Sequence, residues 1–157
     1  MPRDVFANLS HKTRILAKLE ELVSQSCLDQ HQVGLARILR TRQNHSLVQA
    51  VLECSIKIER ASDILIAEVL NVLVAEDLPI SIRASAANTL GHLTSHRPAK
   101  ANSDFDLEMV LESMVHVLRR SESPALKKAL FEAIRRARGR GPRDGGRTLP
   151  RAQWIRS

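Results

Sequence analysis

The sequence predicts an all-α chain of about seven helices, followed by a disordered basic tail. Three observations predict it. Apolar residues recur at helical spacing through most of residues 10–137. Aromatic residues make up 3% of the chain, with no Tyr and one Trp, too few for the aromatic pairs that β-sheets draw on. After Ala137, Gly, Pro and Arg crowd together and the periodicity stops. At 157 residues and 43% hydrophobic content, the chain has the length of one domain and enough apolar mass for a core. The expected organisation is an N-terminal arm over 1–9, a helical domain over 10–137 and a tail over 138–157.

The first helix follows Ser10, a residue type that caps helix N-termini, and carries Ile15, Leu16, Leu19, Leu22 and Val23 on one stripe. A second covers about 29–41, with Val33, Leu35, Ala36 and Leu39. A third follows Asn44 and carries Leu47, Val48, Val51, Leu52, Ile56 and Ile58. A fourth opens at Ser62 or Asp63. It is apolar almost all round, from Ile64 to Val74, which predicts cover on several sides and a central place. The fifth, "ISIRASAANTLGHL" (80–93), is helical in spacing but small in bulk. Residues 94–104 read as a loop broken by Pro98. Asp104 caps the sixth helix, which carries Phe105, Leu107, Val110, Leu111, Met114, Val115 and Leu118. The seventh has Ser123 as cap and Pro124 at its first position, then Leu126, Leu130, Phe131 and Ile134.

Three of these helices align: "HSLVQAVLECSIKI" (45–58), "ISIRASAANTLGHL" (80–93) and "PALKKALFEAIRRA" (124–137). Leu47, Ile82 and Leu126 are the first anchors. Val51, Ala86 and Leu130 follow four residues on, then Leu52, Ala87 and Phe131 five residues on. Eight on, Leu90 and Ile134 agree and Ser55 does not. The first anchors lie 35 and 44 residues apart, and each helix is preceded by another apolar helix and a short turn. Two helices per unit at this period predict a short α-solenoid, in which stacked units bury what one unit cannot. Small residues on the fifth helix then let neighbours approach on both sides. Gly91 costs about 1 kcal/mol of helix propensity relative to Ala, which a close contact explains.

The chain here resembles the HEAT family, with armadillo-type repeats as relatives. "EDLPISIRASAANTLGHL" (76–93) matches best, with Ile82–Arg83 as the aliphatic-basic pair and Leu90–Gly91 at the end. "SESPALKKALFEAI" follows through Leu126–Lys127 but lacks the glycine. "QNHSLVQAVLECSI" has Val48 where the basic residue belongs. The resemblance covers residues 31–137 and implies a curved stack that binds other macromolecules. It carries over no catalytic residues.

Chemistry beyond this is sparse. His92 and His96 are four apart without a carboxylate to complete a ligand set, so a helix-end pair is expected rather than a metal site. Glu108 and Glu112 read as a solvated face. No P-loop, GxGxxG, GxSxG or HExxH pattern occurs. Cys27 and Cys54 lack CxxC spacing and are expected as buried free thiols. No enzyme activity, cofactor, metal or small-molecule substrate is expected. The N-terminal residues show no apolar signal segment, and the longest apolar run, 64–75, is interrupted by Glu68 and Asn71 and too short to span a bilayer. These features predict a soluble protein away from membranes, cytoplasmic, with the nucleus open.

Charge is concentrated at one end. Residues 1–134 carry 16 basic and 16 acidic side chains, whereas residues 135–157 carry eight Arg against Asp144, the whole of the +7 excess. Arg135, Arg136, Arg138, Arg140, Arg143, Arg147 and Arg151 form the basic stretch. Flexible Arg-rich segments bind phosphates through counterion release, and basic clusters also serve nuclear import. Simple solvation of the end of the stack is the other reading. The expected function is a non-enzymatic scaffold or adaptor that holds a protein partner in a groove lined by Gln49, Arg83 and Lys127. The alternative is nucleic-acid association through the tail.

Overall fold

Short polar side chains start three of the helices. Asn44 accepts from the backbone N–H of Ser46 (3.0 Å) and Leu47 (3.3 Å), Ser62 from Leu65 N–H (3.2 Å), and Ser123 from Leu126 N–H (3.3 Å). Each satisfies donors that a helix leaves without intrahelical partners. The computed structural model describes residues 11–42, 44–95 and 107–138. The helices among them are α1 (Lys12–Ser24), α2 (Gln32–Thr41), α3 (His45–Ser55), α4 (Asp63–Val74), α5 (Ile80–Ser95), α6 (Leu107–Arg120) and α7 (Pro124–Arg138). No strand occurs among the described residues, so the all-α class holds.

The expected boundaries shift in three places. His11, not Ser10, occupies the N-cap position of α1, and its side chain makes no capping bond; Ser10 lies outside the described residues. A 3₁₀ turn, Leu28–His31, precedes α2 and buries Leu28. The fifth helix continues through Thr94 and Ser95, where a loop was expected to begin. Thr94 is buried, and its hydroxyl donates to the Leu90 carbonyl at 2.7 Å, a local bond that keeps this polar side chain satisfied inside the helix. Asp104 and Phe105 lie outside the described residues, as do the arm over 1–9 and residues 139–157 of the tail.

Consecutive helices pack as pairs, α2 with α3, α4 with α5 and α6 with α7. Between pairs, α1 lies on α3, α3 on α5, α5 on α7, and α2 on α4. The central helix is therefore α5, which touches α3, α4 and α7, rather than the more apolar α4. Ile64 and Val74 on α4 are exposed, so its all-round apolarity exceeds its cover. Small side chains explain why α5 takes the middle. Gly91 lies so close to α7 that a Cβ there would sit 2.8 Å from the Ala133 Cα. On the other flank, Thr89 is fully buried and its hydroxyl donates to the Leu52 carbonyl on α3 at 2.9 Å. The Gln49 amide of α3 donates to the Ser85 hydroxyl at 2.8 Å.

The buried face of α2 runs through Leu35, Ala36, Ile38 and Leu39, while Val33, expected on that stripe, is 64% exposed. Polar contacts fasten α2 to the next pair. The Gln32 amide donates to the carbonyls of Asp29 (3.1 Å) and Arg60 (2.8 Å) and accepts from Ser62 N–H at 2.6 Å. Arg40 Nε meets Glu68 Oε2 at 3.0 Å. Ser55, the residue that broke the repeat, is buried and donates to the Val51 carbonyl at 2.6 Å, so the polar substitution costs no unmade bond.

Candidate interaction surfaces

The three residues expected to line one groove stand in different surroundings. Gln49 is half-buried, with its amide taken up by Glu53 (2.8 Å) on its own helix and by Ser85 on α5. Arg83 is two residues from Ser85, roughly 200° away around a helix of about 3.6 residues per turn. It faces the other flank, where its Nε donates to the Leu73 carbonyl of α4 at 2.8 Å. Lys127 is exposed on α7. The structure thus joins Gln49 to the α3–α5 seam and separates it from Arg83.

Arg83 borders a cleft of about 640 Å³ between the α4–α5 turn and the C-terminal end of α6. Val74, Ile80 and Val117 supply its apolar surface, and Glu76, His116, Arg120 and Glu122 its polar edge. Two of its apolar side chains remain open to solvent, Val74 at 43% and Ile80 at 38%. The local sequence explains this. The turn "AEDLP" between α4 and α5 buries Ala75 and Leu78 beneath it and leaves Val74 and Ile80 on its flanks. Arg120 Nη2 and Glu76 Oε1 stand 3.8 Å apart with both side chains largely exposed, a surface pair worth little. Arg83 is the cleft residue anticipated; Val74 was expected to be covered with the rest of the apolar fourth helix, and Ile80 was given no role.

A second, smaller depression of about 350 Å³ lies on α6, lined by Glu108, Leu111, Glu112, Val115, His116, Arg119 and Arg138. Glu108 and Glu112 are exposed here, as expected of a solvated face. No group of three or more His, Cys, Asp or Glu residues that could hold a metal ion occurs among the described residues. No helix among them is long and apolar enough to cross a membrane.

Both cysteines are free and half-buried, where full burial was expected. Burial pushes the Cys54 thiol above its ordinary value, and Glu53 adds to the rise, while Lys57 opposes it. An activated nucleophile needs the reverse. The folded state therefore holds the Cys54 proton at pH values where the unfolded chain has released it. That stabilisation is complete below the unfolded pKa of about 8.5 and fades as pH rises through the folded value. Cys54 is accordingly expected to react with iodoacetamide at pH 8 several-fold more slowly in the native chain than in urea. Equal rates, read by peptide mass spectrometry, would show the thiol to be unshielded.

The basic end divides. Lys127, Lys128, Arg135, Arg136 and Arg138 are exposed on α7. Arg140, Arg143, Arg147 and Arg151 lie outside the described residues. Amid the exposed cations of α7 stands Phe131, 64% exposed although its counterparts Leu52 and Ala87 are fully buried. Comparison of the chain with protein-family models, curated proteins and solved structures gives no match.

Proposed function

We propose that the chain is a non-enzymatic interaction module, a short HEAT-like α-solenoid that holds a protein partner at the cleft beside Arg83. The solenoid reading draws support from the order of packing, in which the second helix of each pair meets the second helix of the next. In such stacks each unit contacts its neighbours and the surface left over is long and available for binding. The observation that carries the partner site is the pair of solvent-open apolar side chains, Val74 and Ile80, inside a bordered cleft. The cleft is half open to solvent, a form that suits the side chains of a peptide segment lying across it rather than an enclosed small molecule. Its mixed polar edge, two Glu with two Arg and a His, suits the polar rim of a protein contact. Gln49 is left with a structural part, and Arg83 keeps the recognition role.

The test is a photo-crosslinking amino acid at position 80 in the full chain, used in nuclease-treated cell lysate and read by mass spectrometry. A protein partner should crosslink from position 80 and be lost when Val74→Asp or Arg83→Glu is added. Val74 borders the open cleft, so Val74→Asp should retain the wild-type melting curve to within a few degrees, whereas Arg83→Glu also loses the bond to the Leu73 carbonyl and should melt earlier. Crosslinks unchanged in both variants would remove the cleft from the binding surface.

A further inference from the structure

We propose that the outer face of α7 binds single-stranded nucleic acid, with Phe131 as a base-stacking platform between phosphate-binding cations. The geometry follows from the helix. At about 100° per residue, Lys127, Phe131, Arg135 and Lys128 fall within one arc of roughly 100°, with Phe131 inside it. Leu126, Leu130, Ala133, Ile134 and Ala137 occupy a separate, neighbouring arc and are buried. The arc spans about 12 Å along the axis from Lys127 to Arg135, so cations stand on both sides of the ring.

Phe131 is open because no described helix lies over this face of α7. Leu52 on α3 and Ala87 on α5 hold the same repeat position and are buried, whereas among the described residues no later helix follows α7. A solvent-facing helix surface is normally polar throughout. Here Lys127, Lys128 and Arg135 face solvent around one large aromatic ring, with Glu132 and Arg136 on the next flank of the helix.

The chemistry of the face selects its occupant. A second copy would bring like charges together. A protein partner needs an apolar patch to desolvate, and this face offers one large apolar side chain, Phe131. A bilayer surface needs a broad apolar helix face, and that of α7 is already committed to the core. Single-stranded nucleic acid needs what is present, cations for the backbone and a ring for an unstacked base. The sequence continues the same charge, with Arg140, Arg143, Arg147, Arg151 and Arg156 following against Asp144. A basic tail alone would bind any polyanion, so dependence on the ring is the distinguishing feature.

Fluorescence anisotropy with the full chain and labelled RNA or DNA single strands of about 20 nucleotides tests this, at roughly 50–200 mM salt. Phe131→Ala should weaken single-strand binding about 5- to 150-fold, the range spanned by removing one stacking ring. Phe131→Trp should restore it. Lys127→Glu with Arg135→Glu should weaken binding and flatten its salt dependence. A duplex of equal length should bind without regard to Phe131. The proposal is overturned if Phe131→Ala binds single strands as the wild type does, or if no binding occurs. It is also overturned if anionic phosphatidylserine vesicles or polyglutamate show the same Phe131 dependence. Circular dichroism melting of each variant accompanies the series, and the Trp variant decides the matter should the Ala variant melt early.

Discussion

Gly91→Val will lower the free energy of unfolding by about 3 kcal/mol or more, read by urea titration of helical circular dichroism. A Cβ at position 91 would meet the Ala133 Cα at 2.8 Å and its Cβ at 3.1 Å, and the nearer atom is backbone. A side-chain neighbour could rotate away; a backbone atom moves only if α5 and α7 separate along their contact. Gly91→Ala sets the two opposing terms against each other. Overpacking costs about 1–3 kcal/mol, and the gain in helix propensity returns about 1 kcal/mol. The net should remain destabilising. Adding Ala133→Gly removes the Cβ at 3.1 Å and leaves the Cα at 2.8 Å, so it should recover only part of the loss. A Gly91→Ala chain more stable than wild type would mean that the two helices do not approach this closely.

Leu52→Ala and Phe131→Ala are expected to diverge although both sit five residues after a repeat anchor. Leu52 is 0% exposed on α3, and its truncation should cost about 2–5 kcal/mol. Phe131 loses little by truncation because most of its ring already contacts water, and a cost within about 0.5 kcal/mol is expected. Parallel urea titrations check the pair. Equal costs would show that something covers α7 in solution.

This contrast marks how far the sequence could be read. Periodicity identified the helices, because a buried stripe at 3.6-residue spacing is a local property. Asn44, Ser62 and Ser123 signalled their starts through the capping chemistry seen in the structure. The low bulk of 80–93 and Gly91 signalled a close approach, because small residues in a helix have few other physical reasons. What escaped depends on neighbours. Val33 and Phe131 carry the same apolar signal as core residues, and nothing in the local pattern says whether another helix lies opposite. The fourth helix looked central because its hydrophobicity is highest, yet the central place goes to the helix with the smallest side chains. Steric access decided the packing order. Of the candidate groove, Arg83 reached an open cleft, while Gln49 was claimed by Ser85 across a seam that sequence spacing does not reveal. The extension of α5 through Thr94 carries a local hydroxyl bond to the Leu90 carbonyl, which periodicity does not resolve.

The placement of α5 sets how the molecule comes apart. Withdrawing it would strip cover from α3, α4 and α7 at once, so no local fluctuation can free it cheaply. Its amide protons should exchange with solvent only through opening of the whole stack, whereas α1 and α6, at the margins, can open alone. A row of helix pairs can be a chain of weakly coupled links, able to lose one end and keep the other. Here the tight Gly91 contact joins α5 and α7 into one cooperative block, and the α7 face stays in place for as long as that block stays closed.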